Sequence, residues 1–146
     1  MKSIFKKIYI SSDHAGYDLK KHINEYLIKN KIKIIDLGPV DKNKSVDYPD
    51  YAKKVANHIK NKKNNAGILV CGSGTGMSIS ANKFKQIRAA VCYNKASTRL
   101  SRQHNNANII SLGSRFVTKN SALKFIAIFL KTKFDGGRHL RRVKKI

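Results

Sequence analysis

Tryptophan is absent from this chain of 146 residues, proline and cysteine occur twice each, and Asp and Glu together number only 8. Each scarcity excludes something. With 2 prolines and 9 glycines the chain is neither collagen-like nor a low-complexity linker. Two cysteines make neither a disulfide scaffold nor a cysteine zinc cage. No apolar run approaches the roughly 20 residues that a spanning helix needs, so no membrane association is expected. The opening stretch, MKSIFKKIYISSDHAG, begins basic, but Lys6 and Lys7 break its apolar run and no small-residue cleavage site follows. A cytoplasmic protein is the expectation. Hydrophobic residues at 41% are enough for a packed interior. The length suits one domain over 1–146, with a basic C-terminal tail from about 135.

Positive charge is what the chain has in excess. Lys and Arg total 31, giving a formal net charge of +23, and apart from Asp135 every acid lies at or before Asp50. One reading is a nucleic-acid binder, since a basic face releases counterions from a phosphate backbone. The other is a lysine- and asparagine-rich composition spread over solvated helix faces. Lys20, Lys53, Lys60, Lys83, Lys95 and Lys124 are scattered, and no recognition motif accompanies them. The second reading is favoured, with no specific nucleic acid as partner; a small anionic substrate suits the charge equally well.

Short β-branched runs recur at 8–12, 32–37, 66–71, 88–92 and 108–112. They are apolar without clean alternation, which predicts strands buried on both faces. Between them lie amphipathic patterns: Leu19, Ile23, Tyr26 and Leu27; Ala52, Val55, Ala56 and Ile59; Ala122, Phe125, Ile126, Phe129 and Leu130. Pro49 just after Asp47 marks a helix start. Weaker helices are expected over 77–84 and 95–103, and a short one in the tail. Strand–helix alternation predicts an α/β fold, a parallel sheet with helices on both faces.

Ligands in such sheets sit beyond the carboxyl ends of the strands. That rule selects Asp13-His14-Ala15-Gly16, then Cys71-Gly72-Ser73-Gly74-Thr75-Gly76, then Gly113-Ser114-Arg115, and it draws attention to Arg102-Gln103-His104-Asn105 at the end of a helix. Alternate glycines in CGSGTG let backbone N–H groups approach an anion, although a tight strand-to-helix turn would use them too. No Gly-Lys-Ser/Thr follows, so it is not a P-loop, and Met77 stands where the dinucleotide fingerprint has its third glycine. A thiol beside a helix start, as Cys71 would be, is a usable base or nucleophile, whereas Cys92 reads as a buried, inert cysteine. No His, Cys or Asp spacing has zinc or non-haem iron character. Arg138 and Arg142 are one helical step apart, and two guanidinium forks on one face can grip a phosphate.

Together these motifs resemble the type B ribose-5-phosphate isomerases, the family that also holds galactose- and allose-6-phosphate isomerases. The likeness runs through SSDHAG, DYPDYA at 47–52, GILVCGSGTGMSISANK at 67–83, RAAVC, LSRQHNNAN at 100–108, LGSR at 112–115 and GGRHLRRV at 136–143. It implies a Rossmann-like three-layer α/β/α sandwich with a five-stranded parallel sheet, and a homodimer with shared sites, a tetramer being the larger alternative. It implies aldose–ketose isomerisation of the small phosphosugars ribose 5-phosphate and ribulose 5-phosphate through a cis-enediolate, in the pentose phosphate pathway, without metal or cofactor. By that resemblance Cys71 is the base. Gly72, Gly74, Thr75 and Gly76 hold the oxyanion, and His104 from a partner subunit opens the ring near Asp13 and Ser73. His14, Arg115, Arg138 and Arg142 bind phosphate, while Tyr48 and Asn105 contact sugar hydroxyls. Relatives without the cysteine carry a Glu just after the glycine loop; Met77 occupies that place here. A hexose-6-phosphate isomerase is the alternative within the family, and a non-specific nucleic-acid binder the alternative outside it.

Overall fold

The computed structural model describes all 146 residues. Eleven elements alternate along the chain: β1 (Lys7–Ser12), α1 (Tyr17–Lys29), β2 (Ile34–Asp36), α2 (Tyr48–Ile59), β3 (Asn65–Cys71), α3 (Thr75–Ala81), β4 (Ala89–Val91), α4 (Lys95–Gln103), β5 (Ile109–Gly113), α5 (Lys119–Lys131) and α6 (Gly137–Val143). The strands form one parallel sheet in the order β2-β1-β3-β5-β4. None of the helices is long and apolar enough to cross a membrane.

The two faces of the sheet carry separate cores. On one, Ile8, Ile10, Ile68, Val70, Ile110 and Leu112 meet Leu19, Ile23 and Leu27 of α1 and Phe125, Ile126 and Phe129 of α5. On the other, Tyr9, Leu69 and Ile109 meet Val55, Ala56 and Ile59 of α2 and Met77 of α3. This is the expected three-layer sandwich. β3 is buried at all seven positions and β5 at all five, as continuous apolar runs require of strands covered on both faces. β2 and β4 depart from that expectation. They are the sheet edges, three residues long and half-buried, because each has a neighbour on one side only.

Local signals set the helix bounds. Asn94 and Thr118 cap α4 and α5 by accepting from the N–H groups of Ser97 (2.8 Å) and Ser121 (3.1 Å). Pro49 stands in the first turn of α2 after Asp47. α3 starts at Thr75, two residues before the expected 77, because Gly74 at φ +78° turns the chain directly into it. It ends at Ala81, where Lys83 and Phe84 bond back only three residues. Two cations thought to be solvated or functional are instead structural. Lys20 is 2% exposed, its Nζ 2.8 Å from both Asp36 carboxylate oxygens and from the Pro39 carbonyl. Arg102 is 4% exposed, its guanidinium against the stacked pair of Phe5 and Phe129.

Candidate active site

β1, β3 and β5 lie side by side, so the loops that leave their carboxyl ends converge at the point where the strand order changes direction. The loop after β1 is tied to β3 by the Asp13 N–H donating to the Val70 carbonyl (3.1 Å). The loop after β5 is tied to β3 by Ser114 N to the Cys71 carbonyl (2.8 Å) and Arg115 N to the Gly72 carbonyl (3.0 Å). Ser114 Oγ closes the ring of loops by donating to the Ala15 carbonyl at 3.0 Å.

Cys71, the last residue of β3, is 4% exposed and not disulfide-bonded. The Gly74 N–H donates to its Sγ at 3.1 Å, so the loop folds over the sulfur. Ser73 Oγ accepts from Thr75 N at 3.2 Å. The amides of Ser73, Gly76 and Met77 take no protein acceptor, which leaves N–H donors unspent in the loop that follows the thiol. The loop is braced from below by Ser111 Oγ on the Gly74 carbonyl (2.6 Å) and from the side by the Tyr93 hydroxyl on the Ser73 carbonyl (3.3 Å). Asp13 is 7% exposed, and its Oδ1 accepts from Gly16 N at 2.9 Å.

Basic and aromatic groups rim this loop. The Arg115 guanidinium lies over Gly72, close enough that a Cβ there would stand 2.9 Å from Nη1. The Tyr48 ring lies over Gly76, 2.7 Å from where a Cβ would be. His14 accepts the Val46 N–H at Nδ1 (3.2 Å), which puts its neutral-ring proton on Nε2, free to donate. Asp13, His14, Tyr48, Cys71, Gly72, Ser73, Gly74, Thr75, Gly76 and Arg115 thus share one edge of the sheet.

His104, Asn105, Arg138 and Arg142 do not. α4 runs back across the sheet, so the segment Arg102-Gln103-His104-Asn105 lies at the amino edge, not at the carboxyl edge the sequence rule had suggested. α6 joins it there, its approach tied by Asp135 N to the Gln103 carbonyl (3.1 Å). The His104 and His139 rings stack at 4.1 Å and 9°. Partial burial, then the charges of His104, Arg138 and Arg142, hold His139 below the ordinary imidazole value. Arg102, far from any cleft thiol, donates to the Thr132 carbonyl (3.1 Å), Asn106 Oδ1 (3.0 Å) and the Ala107 carbonyl. Cys92 is fully buried, and burial pushes its thiol up. No group of three or more His, Cys, Asp or Glu side chains converges as a metal site.

Ser111 and Tyr93 are the supporting residues that sequence reasoning missed. Ser111 carried a usable signal, a hydroxyl inside an otherwise apolar strand, which demands a buried acceptor.

Fold and edge together define an α/β enzyme of the Rossmann-like type. The sequence profile of the Ribose/Galactose Isomerase family matches residues 8–146. The structure of Clostridium thermocellum ribose-5-phosphate isomerase B is 50% identical and superposes with a TM-score of 0.92, covering 95% of this chain and 93% of that one. The Mycoplasma genitalium ribose-5-phosphate isomerase B, solved with bound ribulose-5-phosphate, is 45% identical with a TM-score of 0.92, covering 95% and 92%. Ribose-5-phosphate isomerase B of Escherichia coli is 42% identical over 141 residues, 97% of this chain and 94% of its own. This chain belongs to the Ribose/Galactose Isomerase family.

Proposed function

We propose that the chain, as one isomerase domain, interconverts ribose 5-phosphate and ribulose 5-phosphate, with Cys71 as the base. The observation that carries this is the thiol at the end of β3, held by the Gly74 N–H with the unpaired amides of Ser73, Gly76 and Met77 beside it. A base and an oxyanion cradle side by side are what proton transfer next to a carbonyl requires.

The step balances as follows. The Cys71 thiolate takes the proton from C2 of the open-chain aldose, and the C2–H electron pair becomes the C1–C2 double bond. The carbonyl pair moves onto O1, where the loop amides hold the resulting cis-enediolate. The O2 proton passes to O1, C2 becomes the carbonyl, and the thiol returns its proton to C1. Arg115 and the Nε2–H of His14 hold the phosphate at one end of the cleft. Tyr48 covers the sugar, and Ser73 and Asp13 offer polar contacts to its hydroxyls.

Ring opening, with the phosphate grip of Arg138 and Arg142 and the sugar contact of Asn105, comes from a second copy of the chain. β5 is five residues long, which at about 3.3 Å per residue separates the two edges by roughly 16 Å. His104 therefore lies far beyond hydrogen-bonding reach of a sugar bound at Cys71 of its own chain. The exposed Tyr93, Leu100 and Phe116 are suitable apolar surface for the homodimer that brings the edges together. The cytoplasm, where a thiol base stays reduced, is the setting.

The family includes galactose isomerases as well as ribose isomerases, so a hexose-6-phosphate preference is the second reading. Steady-state rates on ribose 5-phosphate, allose 6-phosphate and galactose 6-phosphate with one preparation decide between them. The highest kcat/KM is expected on ribose 5-phosphate. Turnover confined to a hexose phosphate would favour the second reading, and turnover of none would overturn both.

A further inference from the structure

At the amino edge, beneath the inner face of α6, lies a cleft of about 670 Å³. Phe5, Ile59, Leu140 and Val143 are its apolar lining. Lys62, Lys63, Arg88 and Arg102 line it together with four neutral Asn and Gln side chains, and no Asp or Glu is among the lining residues. None of these four cations has an acidic partner, since the ion pairs of the molecule are Lys20–Asp36 and Lys42–Asp18.

One residue, Asn106, bonds to both arginines. Arg88 Nε donates to the Asn106 carbonyl at 2.9 Å, and Arg102 Nη1 donates to Asn106 Oδ1 at 3.0 Å. Asn106 takes a left-handed turn (φ +48°) between them. Arg88 Nη1 is spent on the Gln86 carbonyl (3.3 Å), and Arg102 Nε on the Thr132 carbonyl (3.1 Å). The Nη2 group of each arginine takes no protein acceptor. Burial and the neighbouring Arg88 charge hold Arg102 at about 10, so both remain charged at neutral pH and repel each other. Two anchored guanidinium groups with donors to spare, in a cleft without a carboxylate, are relieved by an anion.

Guanidinium forks match phosphoryl oxygens. The volume falls within the roughly 300–1,000 Å³ of small-molecule sites and far exceeds what one phosphate ion occupies. The apolar lining accommodates an organic body. We propose that this cleft is a second binding site, for an organic diphosphate. Its phosphoryl groups lie against Arg88 and Arg102, with Lys62 and Lys63 at the mouth and the organic part against Leu140 and Val143. Within one chain the cleft lies at the edge opposite Cys71, and it does not depend on the reading of that edge as an isomerase.

The test is calorimetric titration of the full chain with ADP at physiological salt, so that diffuse charge attraction is screened. The wild type is expected to bind ADP at a single class of site. Lys62→Gln/Lys63→Gln, two exposed positions whose loss leaves the core intact, should weaken it by about tenfold or more, and Arg88→Gln likewise. Arg115→Gln, at the opposite edge, should leave it unchanged. No ADP binding at millimolar concentration overturns the proposal. So does binding lost in Arg115→Gln but kept in the lysine pair, which would place ADP in the substrate cleft. A uridine oligomer bound where ADP is not would make the surface one for polymeric phosphate, and that too overturns it.

Discussion

Replacing Cys71 by Ser and by Ala separates its chemistry from its architecture. The sulfur accepts the Gly74 N–H at 3.1 Å while almost fully buried. Serine keeps an acceptor at that place and nearly the same volume, so the glycine loop should stay folded over it. Alanine leaves the Gly74 N–H without a partner, a loss of about 1–3 kcal/mol. At roughly 3 °C per kcal/mol for a chain of this size, Tm should fall by about 3–9 °C in Cys71→Ala and by less than about 3 °C in Cys71→Ser. Activity should behave differently. The serine hydroxyl is far too basic an oxygen to be ionised at neutral pH, so it cannot take a carbon-bound proton. Both variants then lose the contribution of a positioned general base, roughly 10²–10⁴-fold in kcat. KM should change little, because Arg115 and His14 are untouched and phosphate binding is shared by ground and transition states. The assays are ribose 5-phosphate turnover, thermal unfolding and iodoacetamide inactivation with and without a phosphosugar. If Cys71→Ser keeps turnover within about tenfold of the wild type, another group is the base and the mechanism is wrong.

Mixing Cys71→Ala with His104→Ala subunits should restore part of the activity, since a mixed dimer assembles one intact site; no recovery with heterodimers confirmed by native mass spectrometry would refute the shared site. Cys92, fully buried and with its thiol pushed up by burial, should resist iodoacetamide in the folded Cys71→Ser protein, and Cys92→Ser should leave kcat unchanged. His139 should titrate below a free histidine near ~6.5, and His104→Ala should raise its midpoint. Because the folded value is the depressed one, the packing of His139 on His104 contributes above the free value and is lost as pH falls through the folded value. Protection of the α6 amides, relative to their intrinsic exchange at each pH, should therefore fall on acidification, and a midpoint at or above the free value would sink this.

The sandwich was legible because its information is local. A run such as GILVC can satisfy its neighbours only between two layers, and the 3.6-residue spacing of α5 has one apolar face to bury. The outer strands were read too long, since burial at 32–37 and 88–92 depends on which strand stands at the edge, a property of strand order rather than of the segment. The same distinction divides the site. Loops that follow a strand directly, at Asp13, Cys71 and Gly113, inherit the carboxyl edge from the strand. A segment that follows a helix has been carried back to the opposite edge, so His104 belongs with the amino ends although the chemistry of LSRQHNNAN matched the rest. Arg102 shows the cost of treating that segment as one unit: of four adjacent polar residues, it is the one turned inward to fasten the end of α4 to the Thr132 and Ala107 carbonyls. Ser111 and Tyr93 escaped for a third reason. Their hydroxyls brace carbonyls of the glycine loop that are 37 and 20 residues away in the chain, and no periodicity reaches across that distance. What binds these levels is the parity of the fold. With every strand parallel and every connection a crossover, chemistry placed after strands and chemistry placed after helices must face away from each other in one chain. The proposed site draws on both, which is why the proposal calls for a second copy.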